Sequence, residues 1–215
     1  MRLAPLLSSL WLAAASAAAG EGRWRVELAL GGAHSFDSTL RIEQLAQPML
    51  TIEAGWATRS FDSPLYYAWR FARADARGAW ALRFVHHKVH LENTTPEVER
   101  FSVSHGYNLL TLERAFILRG FDVSAGMGLV IAHPESTVRG RTRPEGEGGP
   151  FGGGYFLTGP TAALAVSRRV AISRHFAIVP EGRFTLSRAR VPIADGEASV
   201  PNTAVHLLLG LEARF

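Results

Sequence analysis

From Trp24 to Phe215 the chain keeps returning to one pattern, apolar residues at every second position with small or charged residues between them. Thr203, Val205, Leu207, Leu209, Leu211, Ala213 and Phe215 fall on one face of the last stretch, and Ala204, His206, Leu208, Gly210, Glu212 and Arg214 fall on the other. Trp24, Val26, Leu28 and Leu30 alternate in the same way with Arg25, Glu27, Ala29 and Gly31. The pattern recurs from Phe121 to Ala132, from Leu50 to Ala57, and again where Phe176, Ile178, Phe184 and Leu186 oppose Val179, Glu181, Arg183 and Thr185. A period of two marks a β-strand with unlike faces. Repeated along the chain, it predicts an all-β fold.

A water-soluble sandwich also alternates, but three features favour a membrane barrel. The stretches run to about 10–15 residues, where soluble strands average about 5–6. The positions opposite the apolar face hold Gly, Ala, Ser and charges of both signs, which suit a narrow interior. Trp24, Trp56, Trp80, Phe116 and Phe215 lie near stretch ends, where a barrel carries its interfacial girdle. The expectation is an all-β, closed antiparallel transmembrane β-barrel with its apolar face toward hydrocarbon.

The rest of the 215 residues fits an exported chain. Residues 1–19 read as a signal peptide, with Arg2 as its only charge, an apolar run from Leu6 to Ala15, and small residues Ala17 to Ala19 at the cleavage site. The run is short of the ~20 residues a spanning helix needs. Residues 20–215 are then one barrel domain, and losing Arg2 takes the formal charge from +4 to +3. The cations are scattered, which argues against nucleic acid as a partner. With no Cys, disulfides, thiolate metal sites and cysteine nucleophiles are excluded.

The carboxyl-terminal pattern, Gly210 followed five residues later by Phe215, resembles that of the small outer-membrane β-barrels of Gram-negative bacteria, with Ala213 and Leu208 departing from the usual bulky and polar residues. His86-His87-Lys88 and Ser104 to Leu110 are similar to segments of uncharacterised proteobacterial barrel proteins. The resemblance implies the bacterial outer membrane as location and Gly210 and Phe215 as the signal for the barrel assembly machinery. It also implies outer-membrane lipid and lipopolysaccharide as surroundings of a monomer. It brings no activity with it.

Strands are expected near 23–33, 38–45, 49–59, 64–73, 79–91, 105–117, 120–132, 157–168, 174–190 and 203–215, which makes ten. Segment 38–45 is weakly periodic, so eight strands and an irregular hairpin form the alternative. Short turns fall near 47–48, 75–78 and 118–119, and long outer loops near 92–104, 133–156 and 191–202.

A barrel this narrow is filled by its own side chains. Glu53, Arg83, Glu113, Glu181, Arg183 and Glu212 are expected to form ion pairs that plug the lumen. The function read from this is an integral outer-membrane protein with a structural or surface-interaction role and no cofactor. One alternative is a narrow channel for a small solute. The other is an enzyme acting on lipid A or phospholipid acyl chains, with His87 and His105 as candidate bases and Ser102 or Ser104 as nucleophile at the outer rim. Ser104 and His105, being adjacent on a strand, should point to opposite faces and not pair. His86, Lys88 and His90 share a face suited to lipopolysaccharide phosphates. No metal site is expected from them, because His86 and His90 would lie about 13 Å apart on a strand at ~3.3 Å per residue.

Overall fold

The computed structural model describes residues 24–143, 146, 148–150 and 152–215, so the expected signal peptide lies outside the described residues. Sixteen strands follow one another: β1 (Trp24–Ser35), β2 (Ser38–Gln44), β3 (Leu50–Ala54), β4 (Trp56–Ala57), β5 (Tyr67–Asp75), β6 (Gly78–His86), β7 (Val89–Leu91) and β8 (Val98–Val103). Then come β9 (Tyr107–Leu118), β10 (Phe121–Ala132), β11 (Glu135–Val138), β12 (Arg141–Thr142), β13 (Phe156–Ser167), β14 (Val170–Ala171), β15 (Phe176–Ile193) and β16 (Gly196–Arg214). Among the described residues there is no helix.

The antiparallel pairings run β1–β5–β6–β9–β10–β13–β15–β16 and return to β1, a ring of eight strands. The register shows how the expected segments enter this ring. Ala204 of β16 pairs with Ser35 and Ser199 with Arg41, so five steps along one strand match six along the other. β2 is therefore the continuation of β1 past a one-residue bulge at Phe36–Asp37, not a separate wall strand. β3 pairs with β2 as β5 pairs with β1, so the expected strands 49–59 and 64–73 are two pieces of the same neighbour. The expected outer loops are corrected too. Residues 92–104 include β8, 133–156 include β11 and β12, and 191–202 are the ends of a long hairpin that turns at Ala194–Asp195.

Toward the chain ends and short turns, the outside of the ring is apolar. Val26, Leu28, Leu82, Leu112, Met127, Leu164, Ile178, Leu207, Leu209 and Leu211 are all exposed, and Met127 is exposed to 74%. On β15 this belt runs from Phe176 to Leu186 and gives way to exposed Arg188 and Arg190. Ten steps of ~3.3 Å, tilted by about 40°, make a belt about 25 Å tall. Its lower edge carries aromatics with arginines over them: Arg73 lies 5.6 Å from the Trp24 ring, Arg114 5.5 Å from Trp80, and Arg168 5.5 Å from Phe121.

Inside, three tiers succeed one another. Level with the lower belt lies a web of charges. Arg70 reaches Glu27 at 2.7 Å and Glu212 at 2.9 Å. Arg83 reaches Glu27 at 2.7 Å and Glu181 at 2.8 Å, and Arg183 reaches Glu113 at 2.7 Å and Glu181 at 2.9 Å. The gap among Arg25, Arg70, Glu113, Asp122 and Arg169 is about 10 Å³, the room one water needs. Gly210 faces this tier, and a Cβ there would lie 2.8 Å from the Glu27 carboxylate.

The middle tier is neutral and hydrogen-bonded. Tyr66 and the His206 Nδ1 are 2.5 Å apart, Thr185 and the His206 Nε2 2.7 Å, and Asn202 and the His87 Nε2 3.1 Å. Above it, Leu40, Ile42, Trp56, Val89, Leu91, Val98, Phe101, Val103, Val191 and Val200 pack into an apolar core. A second sheet, β12–β11–β8–β7–β4, walls part of this upper end.

Glu53 is corrected as a lumen residue. On β3 it is exposed and accepts a hydrogen bond from Thr39 at 2.9 Å. At that height the interior is apolar, so the charged face of the strand is the outer one.

Candidate functional site

On the outer side of the upper sheet, the end of β8 and the start of β11 bring a polar group together. β8 stops at Val103, and the chain bends through Ser104 and His105 to Gly106, whose φ of +135° takes it into β9. A Cβ at Gly106 would collide with the Asn108 side chain. The His133 amide donates to the Gly106 carbonyl at 3.0 Å, which holds the β10–β11 corner against this bend. Glu135 then opens β11 directly across from Ser102, and two residues apart in an extended chain it faces the same side as His133.

Glu135 is the centre of the group. Its Oε1 accepts from Ser104 Oγ at 2.7 Å and lies 2.6 Å from His105 Nδ1, while its Oε2 pairs with Arg100. Burial pushes the Glu135 carboxyl up, but the hydrogen bonds from Ser104 and His105 and the Arg100 charge outweigh it and hold the group below its ordinary range. The His105 and His133 rings lie 5.0 Å apart, His133 is also 5.0 Å from the Tyr155 ring, and the Tyr155 hydroxyl donates to the His105 carbonyl at 3.2 Å. One nitrogen from each imidazole and one Glu135 oxygen fall within 4.8 Å of one another.

The sequence expectation for Ser104 and His105 is therefore corrected: they lie past the end of the strand, and both side chains reach the same carboxylate oxygen. Ser104 gives its hydrogen to the carboxylate and not to an imidazole. Ser102 is buried, and its Oγ has no hydrogen-bond partner.

His87 is not at the rim. It is fully buried in the middle tier, 3.2 Å from Ser35 Oγ and against the Tyr66, Tyr107 and His206 rings, so it has no route to a lipid substrate. The expected phosphate-facing trio is corrected as well. Lys88 is 1% exposed, and its Nζ donates to the Asp62 and Pro64 carbonyls at 2.9 Å each. His86 is buried, 2.7 Å from Asn108 and stacked on Tyr67. His90 is half-buried across from Ser102, and burial followed by the Arg59 and Lys88 charges lowers its pKa to about 4. Exposed cations at this height include Arg41, Arg188 and Arg190.

Sequence reasoning missed Arg70 in the charge web, and His133 and Glu135 at the rim. The one available signal was His133-Pro134-Glu135, two chemistry-bearing residues at strand spacing in a glycine-rich stretch.

No protein-family model matches the sequence, and no curated protein matches it. Among solved structures, the chain is similar to the outer membrane protein OprG from Pseudomonas aeruginosa, at 9% identity over 91% of this chain and 96% of that one, with a TM-score of 0.47. It is similar to the outer membrane protein AlkL in lipid bilayers, at 13% identity over 94% of each chain and a TM-score of 0.45. It is also similar to Neisserial surface protein A, at 8% identity over 91% of this chain and all of that one, with a TM-score of 0.42. At this level of identity and superposition, nothing of what those proteins do passes to this chain.

Proposed function

We propose that the chain is a bacterial outer-membrane β-barrel of eight strands, closed and filled along its length, with a structural or surface-interaction role. The observation that carries this reading is the inside-out distribution of side chains. A belt of exposed Leu, Val, Met and Phe surrounds the ring, while Glu27, Arg83, Glu113, Glu181, Arg183 and Glu212 pair in its interior. Water would not support so broad an apolar surface, and hydrocarbon accepts it.

The filled interior supports a barrel that holds its wall together and carries the upper sheet clear of the membrane. It argues against the solute channel, since charges, hydrogen-bonded rings and an apolar core occupy successive levels. The rim-enzyme reading loses support because Ser104 bonds Glu135 and His87 is buried inside. Outer-membrane lipid surrounds the belt as its partner, with Arg188 and Arg190 placed to meet lipopolysaccharide phosphates. Gly210 and Phe215 serve the barrel assembly machinery, and a chain lacking Phe215 should reach the outer membrane in reduced yield.

Density-gradient fractionation of expressing cells, with unboiled gel samples, tests the reading. The protein should travel with the outer membrane and migrate faster unboiled, and planar bilayers containing it should show no stepwise current. A detergent-free soluble protein would overturn the membrane reading. A steady unitary conductance would overturn the filled interior.

A further inference from the structure

We propose that His105, His133 and Glu135 form a binding site for a divalent transition metal, zinc by the chemistry of the donors, on the outer side of the upper sheet. Two imidazoles and a carboxylate are a borderline donor set that suits zinc and is poor for calcium or magnesium, which prefer all-oxygen shells. The donor atoms already lie within 4.8 Å of one another without an ion to gather them. A tetrahedral ion with bonds of about 2.0–2.1 Å needs its donors about 3.3 Å apart, so closing the site takes side-chain adjustment and no backbone rearrangement.

Two further observations point the same way. His133 is 5% exposed, and its Nδ1 is buried with no hydrogen-bond partner. A buried polar nitrogen left without a partner is costly, and in this position a metal or an ordered water would satisfy the ring. The surroundings also resemble an outer shell that orients ligands. Ser104 and Arg100 bond the Glu135 carboxylate, and the Tyr155 hydroxyl ties down the His105 backbone. A Cβ on Gly154 would come within 2.8 Å of His133 Nε2, so the glycine lets the backbone there lie against that imidazole.

Arg100 is the competing cation. Its side chain is 64% exposed, so it can leave Glu135 at small cost when a doubly charged ion arrives. The His105 side chain is 44% exposed, while His133 and Glu135 are buried, so His105 is the outermost of the three ligands.

Equilibrium dialysis of the folded full chain in detergent against zinc chloride, with calcium chloride as comparison, tests the proposal. One zinc per chain and no calcium is the expected result. His105→Ala, on the exposed side of the site, and Glu135→Gln should each weaken zinc binding by more than about tenfold. His34→Ala and His175→Ala, both exposed and away from the site, should leave it unchanged. Arg100→Ala should tighten it by removing the competitor. Unboiled gel mobility establishes that each variant is folded. X-ray absorption of the zinc-loaded chain should report imidazole nitrogens around the metal. Failure of the folded parent to retain zinc, or equal binding by the parent, His105→Ala and Glu135→Gln, would overturn the site.

Discussion

Arg183 on β15 grips Glu113 on β9 through both terminal guanidinium nitrogens, at 2.7 and 3.0 Å, and its Nε reaches Glu181 at 2.9 Å. Fork-on-fork geometry of this kind fixes direction as well as charge. It ties together wall strands that are not neighbours in the ring.

Breaking this contact from one side leaves the buried Glu113 carboxylate without its ion-pair partner and Glu181 with Arg83 alone. Arg183→Met should cost about 3–5 kcal/mol of stability. Arg141→Met, which removes a half-exposed partner of Asp195 at the top, should cost less than about 1 kcal/mol. Urea unfolding in lipid vesicles compares the two, and equal shifts would remove the structural role of the interior charges.

Leu209 is 60% exposed on the outer face of β16. In water, Leu209→Arg would be close to neutral. Against hydrocarbon it should cost about 2–4 kcal/mol near the midplane. The same unfolding experiment reads it, and a neutral result would place the face in water.

Within the middle tier, His206 takes contacts from both Tyr66 and Thr185. His206→Leu strands the buried Tyr66 hydroxyl and should cost about 1–3 kcal/mol from that group alone. Tyr66→Phe made on the His206→Leu background should then cost less than it does in the parent, a coupling that a double-mutant cycle measures. Simple additivity would show that the pair does not interact.

The upper sheet should weaken in mild acid. His90 titrates near pH 4 in the folded chain and near 6.5 when unfolded, so the unfolded chain binds the extra proton between those values. Stability is thus full above about pH 6.5 and falls as the pH drops toward 4. Glu135 faces His90 and opposes this lowering, as does Asp62, while Arg59 and Lys88 reinforce it. Glu135, itself held low, adds a loss of the same sign at the acid end. Amide-exchange protection of Val89 and Leu91, followed from pH 7 to pH 4, should decline, and His90→Gln should flatten the decline. Unchanged protection in the parent would contradict this account.

The lower belt was legible in the alternation itself, because there every outward residue meets one medium and every inward residue another. Two features defeated the same reading higher up. Trp24, Val26 and Leu28 point outward at even numbers, yet Leu40 and Ile42 point inward at even numbers, because the bulge at Phe36–Asp37 shifts the faces by one. Above the belt the sense of the pattern also reverses: Ile52 packs on the core and Glu53 meets water. Periodicity states that two faces differ and not which one is inside. Ser102, Ser104 and His105 could be placed near the rim from sequence. His133 and Glu135, which meet Ser104 and His105, could not, since the contact is made by the β8–β11 pairing and Pro134 interrupts the local rhythm.

The seam between β1 and β16 joins the earliest described strand to the last, Leu28 lying beside Leu211. Every other junction in the ring joins strands nearer in sequence, so this one carries the largest loop-closure entropy. Until β16 arrives, β1 presents a bare edge of unpaired amides and carbonyls, the form in which sheets most readily recruit a stranger. Until this seam forms the ring stays open along one known line, and sealing it removes that edge.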